Sequence, residues 1–79
     1  MTSEKREKLR VIFRLVFQLS PSAEVAGVRQ LTEEKWDSLA HVSLVAALEN
    51  EFNIQIDTSE ALQLTSYQAA ELLLDEKSA

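Results

Sequence analysis

The chain contains no cysteine, one glycine, one proline and one histidine in 79 residues. Without cysteine there are no disulfides and no thiolate metal sites, and a single histidine cannot build a His cluster for zinc. So little glycine and proline argues against a turn-rich β fold and for long helices. Gly-rich loops that cradle phosphates are missing as well. No stretch approaches the roughly 20 apolar residues that span a bilayer, so membrane insertion is not expected. Glu4, Lys5, Arg6, Glu7 and Lys8 stand where a signal peptide would carry its apolar run, and a cytoplasmic location is the expectation.

What is present is 46% hydrophobic and 27% charged, the balance of a globular chain. The length allows one domain, residues 1–79, and a domain of this size buries roughly 60% of its unfolded surface. Its stability must come from packed apolar side chains. The net charge of −5 is uneven: Lys5, Arg6, Lys8, Arg10, Arg14 and Arg29 crowd the first 30 residues, and only Lys35 and Lys77 follow. The acidic remainder disfavours nucleic acid and attracts basic protein surfaces. The basic charges at the start alternate with Glu, the pattern of a solvated helix face.

Hydrophobic spacing divides the chain into four helices. Leu9, Ile12, Phe13, Val16 and Phe17 repeat at i, i+3, i+4, i+7 and i+8, which predicts an amphipathic helix over 4–19 with Ser3 as N-cap and Ser20-Pro21 as its stop. Residues 20–37 form a long connection, with a helical turn expected within 22–28. A second helix runs from 38 to 52, capped by Asp37 and closed by Asn53 in the left-handed conformation. Its broad stripe is read as Leu39, Val42, Val45 and Ala46, with Leu44, Leu48 and Phe52 beside them. Ile54 and Ile56 anchor an extended linker. Asp57, Thr58 or Ser59 then caps a short helix through Leu62, and Thr65 or Ser66 caps a last helix to about Leu74, with frayed residues after it. The expected fold is all-α, an irregular four-helix bundle of three longer helices and one short, with a long loop between the first two.

Catalytic constellations are scarce. His41 follows Ser38 by three positions on the same helix, but no separate orienting group or oxyanion hole accompanies the pair. No enzyme activity is expected, and His41 reads as a surface residue.

The informative segment is Asp37-Ser38-Leu39 at the head of the second helix. Alone, the tripeptide is weak, because Asp and Ser are ordinary helix caps. Its context is stronger. After it come an apolar helix ending in Leu48-Glu49-Asn50-Glu51-Phe52, then Ile54-Gln55-Ile56, then Leu64-Thr65-Ser66. In that order and without gaps, these elements resemble the acyl carrier protein family. The resemblance implies 4′-phosphopantetheine, drawn from coenzyme A by a phosphopantetheinyl transferase, attached to Ser38. Asp37 and Leu39 are then the flanks of the attachment motif. It implies acyl cargo held as a thioester and presented to acyl-activating, synthase or acyltransferase enzymes of fatty-acid, lipid or related biosynthesis. A phosphodiester on Ser38 would sit at a helix N-terminus, where free N–H groups and the dipole favour an anion.

Two departures from the family pattern point to a specialised member. Lys35 stands where the family has Gly, and Trp36 follows it. Ala40, His41 and Ser43 stand where the family usually carries acids, so recognition near the arm is expected to be less electrostatic. Trp36 either packs on the loop or touches cargo, and the large apolar area of an indole favours packing. Partner-facing candidates are Trp36, His41, Glu49, Glu51, Asp57 and Glu60. Leu44, Leu48, Phe52, Ile54, Leu62 and Leu73 either line a cargo space or form an ordinary core, and the core is the simpler expectation. Alternatives are an aminoacyl or peptidyl carrier and an unmodified helical interaction module. A monomer is expected, because no surplus apolar face is evident once the bundle is packed.

Overall fold

The computed structural model describes residues 2–77. Among the described residues four helices follow in order: α1 (Ser3–Val16), α2 (Ser38–Phe52), α3 (Thr58–Gln63) and α4 (Tyr67–Lys77). The fold is the all-α bundle that the hydrophobic spacing predicts, with the long connection between α1 and α2.

Thr2, rather than Ser3, caps α1, its hydroxyl accepting from the Lys5 N–H at 3.2 Å. The helix also stops three residues before the expected end. Gln18 turns left-handed with φ 54°. The Gln18 and Leu19 N–H groups then return to the Leu15 and Arg14 carbonyls at 3.4 and 2.8 Å. This is a Schellman closure, and it ends the helix before Pro21 has any say. It leaves Phe17 at the cap with no exposed surface.

No helical turn forms within 22–28. Single turn bonds stand there instead, from Ala23 N–H to the Ser20 carbonyl and from Val28 N–H to the Val25 carbonyl. Loop chain is affordable here because it is anchored at several points. Val25 is buried. The Arg14 guanidinium donates twice to the Ala23 carbonyl, at 3.3 and 3.1 Å. Gln30 N–H donates to the Thr65 carbonyl and Tyr67 N–H to the Val28 carbonyl, which ties the loop to the start of α4. The second of these satisfies a helix-end donor that has no partner inside its own helix.

Asp57 and Glu60 form a reciprocal capping box on α3, with bonds of 2.7 and 3.1 Å. Ser66 Oγ accepts from Ala69 N–H at 3.0 Å and starts α4. That helix continues to Lys77, beyond the expected Leu74, and the Lys77 ammonium meets the Glu60 carboxylate at 2.9 Å. Residues expected to fray are therefore helical through 77.

One core joins all of this. Leu9 and Phe13 from α1 and Phe17 at its cap join Leu44 and Leu48 from α2, Leu64, and Tyr67, Ala70 and Leu74 from α4. Phe13 stacks on Tyr67 with ring centroids 5.1 Å apart, and Phe17 lies 4.5 Å from Trp36. Four of the five aromatic residues thus form one cluster tying α1, the loop and α4 together. Burial pushes the Tyr67 phenol above its usual range. The Cα radius of gyration, 11.4 Å, matches the roughly 11.6 Å expected of a compact chain of this length.

The α2 stripe needs correction. Leu39 and Val42 are 76% and 64% exposed and Ala46 is exposed, whereas Leu44 and Leu48 are fully buried. A helix with apolar residues on more than one face carries several possible stripes, and only its neighbours select one. Ile56 is buried and Ile54 half-buried, as the anchoring linker requires.

Candidate functional site

The α2 N-terminus is where the chemistry-bearing segment lies. Asp37 is its N-cap, with extended backbone and Oδ1 accepting from Ala40 N–H at 2.8 Å. Ser38 is the first helical residue, and its side chain is exposed. Capping is thus the work of Asp37, and the Ser38 hydroxyl is left to solvent. Asn53 takes the left-handed position at the other end, with φ 53° and ψ 51°.

Trp36 and His41 occupy different places from those expected. Trp36 is 5% exposed and packs against Phe13 and Phe17, so it is a core residue and not a partner-facing one. Its indole N–H donates to His41 Nδ1 at 3.0 Å. His41 Nε2 lies 2.8 Å from the Ala61 carbonyl, which can only accept, so the proton sits on Nε2. His41 is half-buried, with both nitrogens engaged, and is no surface residue. The three groups link the loop, α2 and α3 within one helical turn of Ser38. A polar imidazole facing inward is tolerated because both its nitrogens are paired.

The acidic candidates all have work within the chain. Glu49 accepts from Ile56 N–H at 2.9 Å and fixes the linker after α2. Glu51 faces Lys8 at 3.6 Å. Asp57 and Glu60 close the α3 capping box. The Asp57 N–H first, and then the Lys77 ammonium, hold the Glu60 carboxyl below its usual range. Of this acidic set Glu51 and Asp57 are exposed, and Glu49 and Glu60 are half-buried.

The proposed lining residues also divide. Leu44 and Leu48 are fully buried core, Phe52, Ile54 and Leu73 are half-buried, and Leu62 is 73% exposed and faces solvent. Together with Leu39 and Val42, Leu62 contradicts the expectation that no apolar surface is left over.

Sequence reasoning missed a groove of about 420 Å³ beside Ser38. Its lining includes Val16 and Gln18 at the end of α1, Lys35 and Asp37 in the loop, and Leu39 and Ser43 on α2. Lys35 Nζ donates to the Gln18 carbonyl at 3.1 Å and bridges the two sides. The only signal in the sequence was Lys35 standing out of pattern.

Among the described residues no three His, Asp or Glu side chains gather as a metal site, and no helix is long and apolar enough to cross a membrane. The chain matches no protein-family model and no curated relative.

Proposed function

We propose that this chain is a carrier of the acyl carrier protein type, taking 4′-phosphopantetheine on Ser38 and holding acyl cargo as a thioester. The observation that carries the reading is the division of labour at the α2 N-terminus. Asp37 supplies the cap, and the adjacent Ser38 hydroxyl is exposed with no capping role. A serine present only to start the helix would be spending its hydroxyl on a backbone N–H.

The site fits the group. An exposed hydroxyl is accessible to a transferase, and the helix end favours the resulting phosphodiester. When bound, the arm supplies a terminal thiol, the nucleophile a cysteine-free chain lacks. A tether then gives the cargo a high effective concentration in a partner's active site. His41 is engaged by Trp36 and Ala61, which supports an acceptor serine over a catalytic one.

Exposed Leu39 and Val42 directly follow Ser38 along α2. They support docking by apolar contact onto a dedicated acyl-activating, synthase or acyltransferase enzyme, as the missing acids near the arm also suggest. The test is intact-protein mass after incubation with coenzyme A and a phosphopantetheinyl transferase, with Ser38→Ala alongside. One adduct on wild type and none on the variant is expected. No adduct, under conditions that modify a known carrier, would leave an unmodified interaction module as the better reading.

A further inference from the structure

We propose that the groove between the end of α1 and the start of α2 is the resting site of the phosphopantetheine arm, with Lys35 meeting its phosphodiester. The inference rests on the carrier reading above.

Asp37 and Leu39 both line the groove, and Ser38 lies between them, so an arm on its hydroxyl starts at the groove's edge. A volume of about 420 Å³ lies within the usual range of roughly 300–1,000 Å³ for small-molecule sites. The lining is mixed, as the arm is. Val16, Leu39 and Ala40 offer apolar surface for a branched dimethyl carbon, while Gln18, Glu34 and Ser43 offer partners for hydroxyl and amide groups.

Lys35 supplies the charge. An ammonium has three N–H donors, and one is spent on the Gln18 carbonyl at 3.1 Å. Two remain for phosphodiester oxygens. Glu34 and Asp37 are the opposing charges of the lining, and Asp37 Oδ1 already accepts from Ala40 N–H. They repel the phosphate towards Lys35 and accept from the amide N–H groups further along the arm.

The opposite side of α2 is bridged beside Ser38. His41 bonds across to α3 through Ala61, and Trp36 is packed on Phe13 and Phe17 behind it. An arm entering there would have to break that seam, whereas the α1 side is already open.

The experiment uses isotope-labelled protein before and after loading by transferase and coenzyme A, with the adduct verified by mass. Expected are amide shift changes at Gln18, Lys35, Ala40 and Ser43, and NOEs from the arm's methyl groups to Leu39 or Val16. Lys35→Glu, and separately Ser43→Trp to fill the groove, should still accept the arm but lose those contacts; both positions are exposed. Shifts confined to 37–39, or centred on Thr58–Gln63, would overturn the inference and leave the carrier reading standing. A wild type that takes no arm would overturn both.

Discussion

Replacing Trp36 by Phe tests the seam that joins the loop to α2 and α3. The substitution keeps an aromatic ring in the cluster but deletes the indole N–H and the pyrrole edge. His41 Nδ1, 3.0 Å from that N–H and half-buried, then loses its donor. An unsatisfied polar group of this kind costs roughly 1–3 kcal/mol. Lost packing around a residue only 5% exposed adds about 1 kcal/mol. The expected loss is about 2–4 kcal/mol, against a total of roughly 4–12 kcal/mol for a domain of this length. At roughly 4–8 °C per kcal/mol, Tm should fall by about 8–30 °C. Far-UV circular dichroism during urea and thermal unfolding is the assay, since the variant has no tryptophan to follow. His41→Leu completes a double-mutant cycle. Because the indole and imidazole share one bond, the double variant should be less destabilised than the sum of the singles by about 0.5–1.5 kcal/mol. Additivity within about 0.3 kcal/mol would refute the bond.

Other outcomes follow from single contacts. Asp37→Ala should lower stability by about 1 kcal/mol, and Ser38→Ala should change it by less than about 0.5 kcal/mol, because the cap belongs to Asp37; equal losses in denaturant titrations would reassign the cap. Glu60 titrates below its usual range in the folded state, so its stabilisation is complete above the ordinary carboxylate range and fades as pH falls through the lowered folded value. The advantage of wild type over Glu60→Gln in urea should shrink along that descent, and a gap constant down to strongly acid pH would contradict the assignment. Gln18→Gly relieves a left-handed conformation that disfavours a Cβ, and should raise stability by about 0.5–1 kcal/mol in thermal unfolding; a loss of stability would show that the Gln18 side chain matters more than its backbone.

Much of this protein was written locally. The α1 repeat of Leu9, Ile12, Phe13 and Phe17 faces the core because it is the longest apolar run at helical spacing, although Val11 and Leu15 stay exposed beside it. Asp37 and Asn53 act at the ends of α2 through bonds spanning about a turn, so their identity and spacing place them, whereas the choice of Asp57 over Thr58 or Ser59, of Ser66 over Thr65 and of Thr2 over Ser3 came from the structure. Ser38 at the head of α2 was legible for the same reason.

Contacts between distant segments were not legible, because periodicity says how residues share a face and not what that face meets. Within α2 apolar residues stand on more than one face, so burial of Leu44 and Leu48 and exposure of Leu39 and Val42 were settled by which face meets the rest of the core. The inward turn of His41 depends on an indole five residues earlier and a carbonyl 20 residues later. The groove beside Ser38 exists because Gln18 ends α1 early and Lys35 reaches its carbonyl across 17 residues of chain. Local sequence placed the serine, and the packing of three separate segments decided what surrounds it.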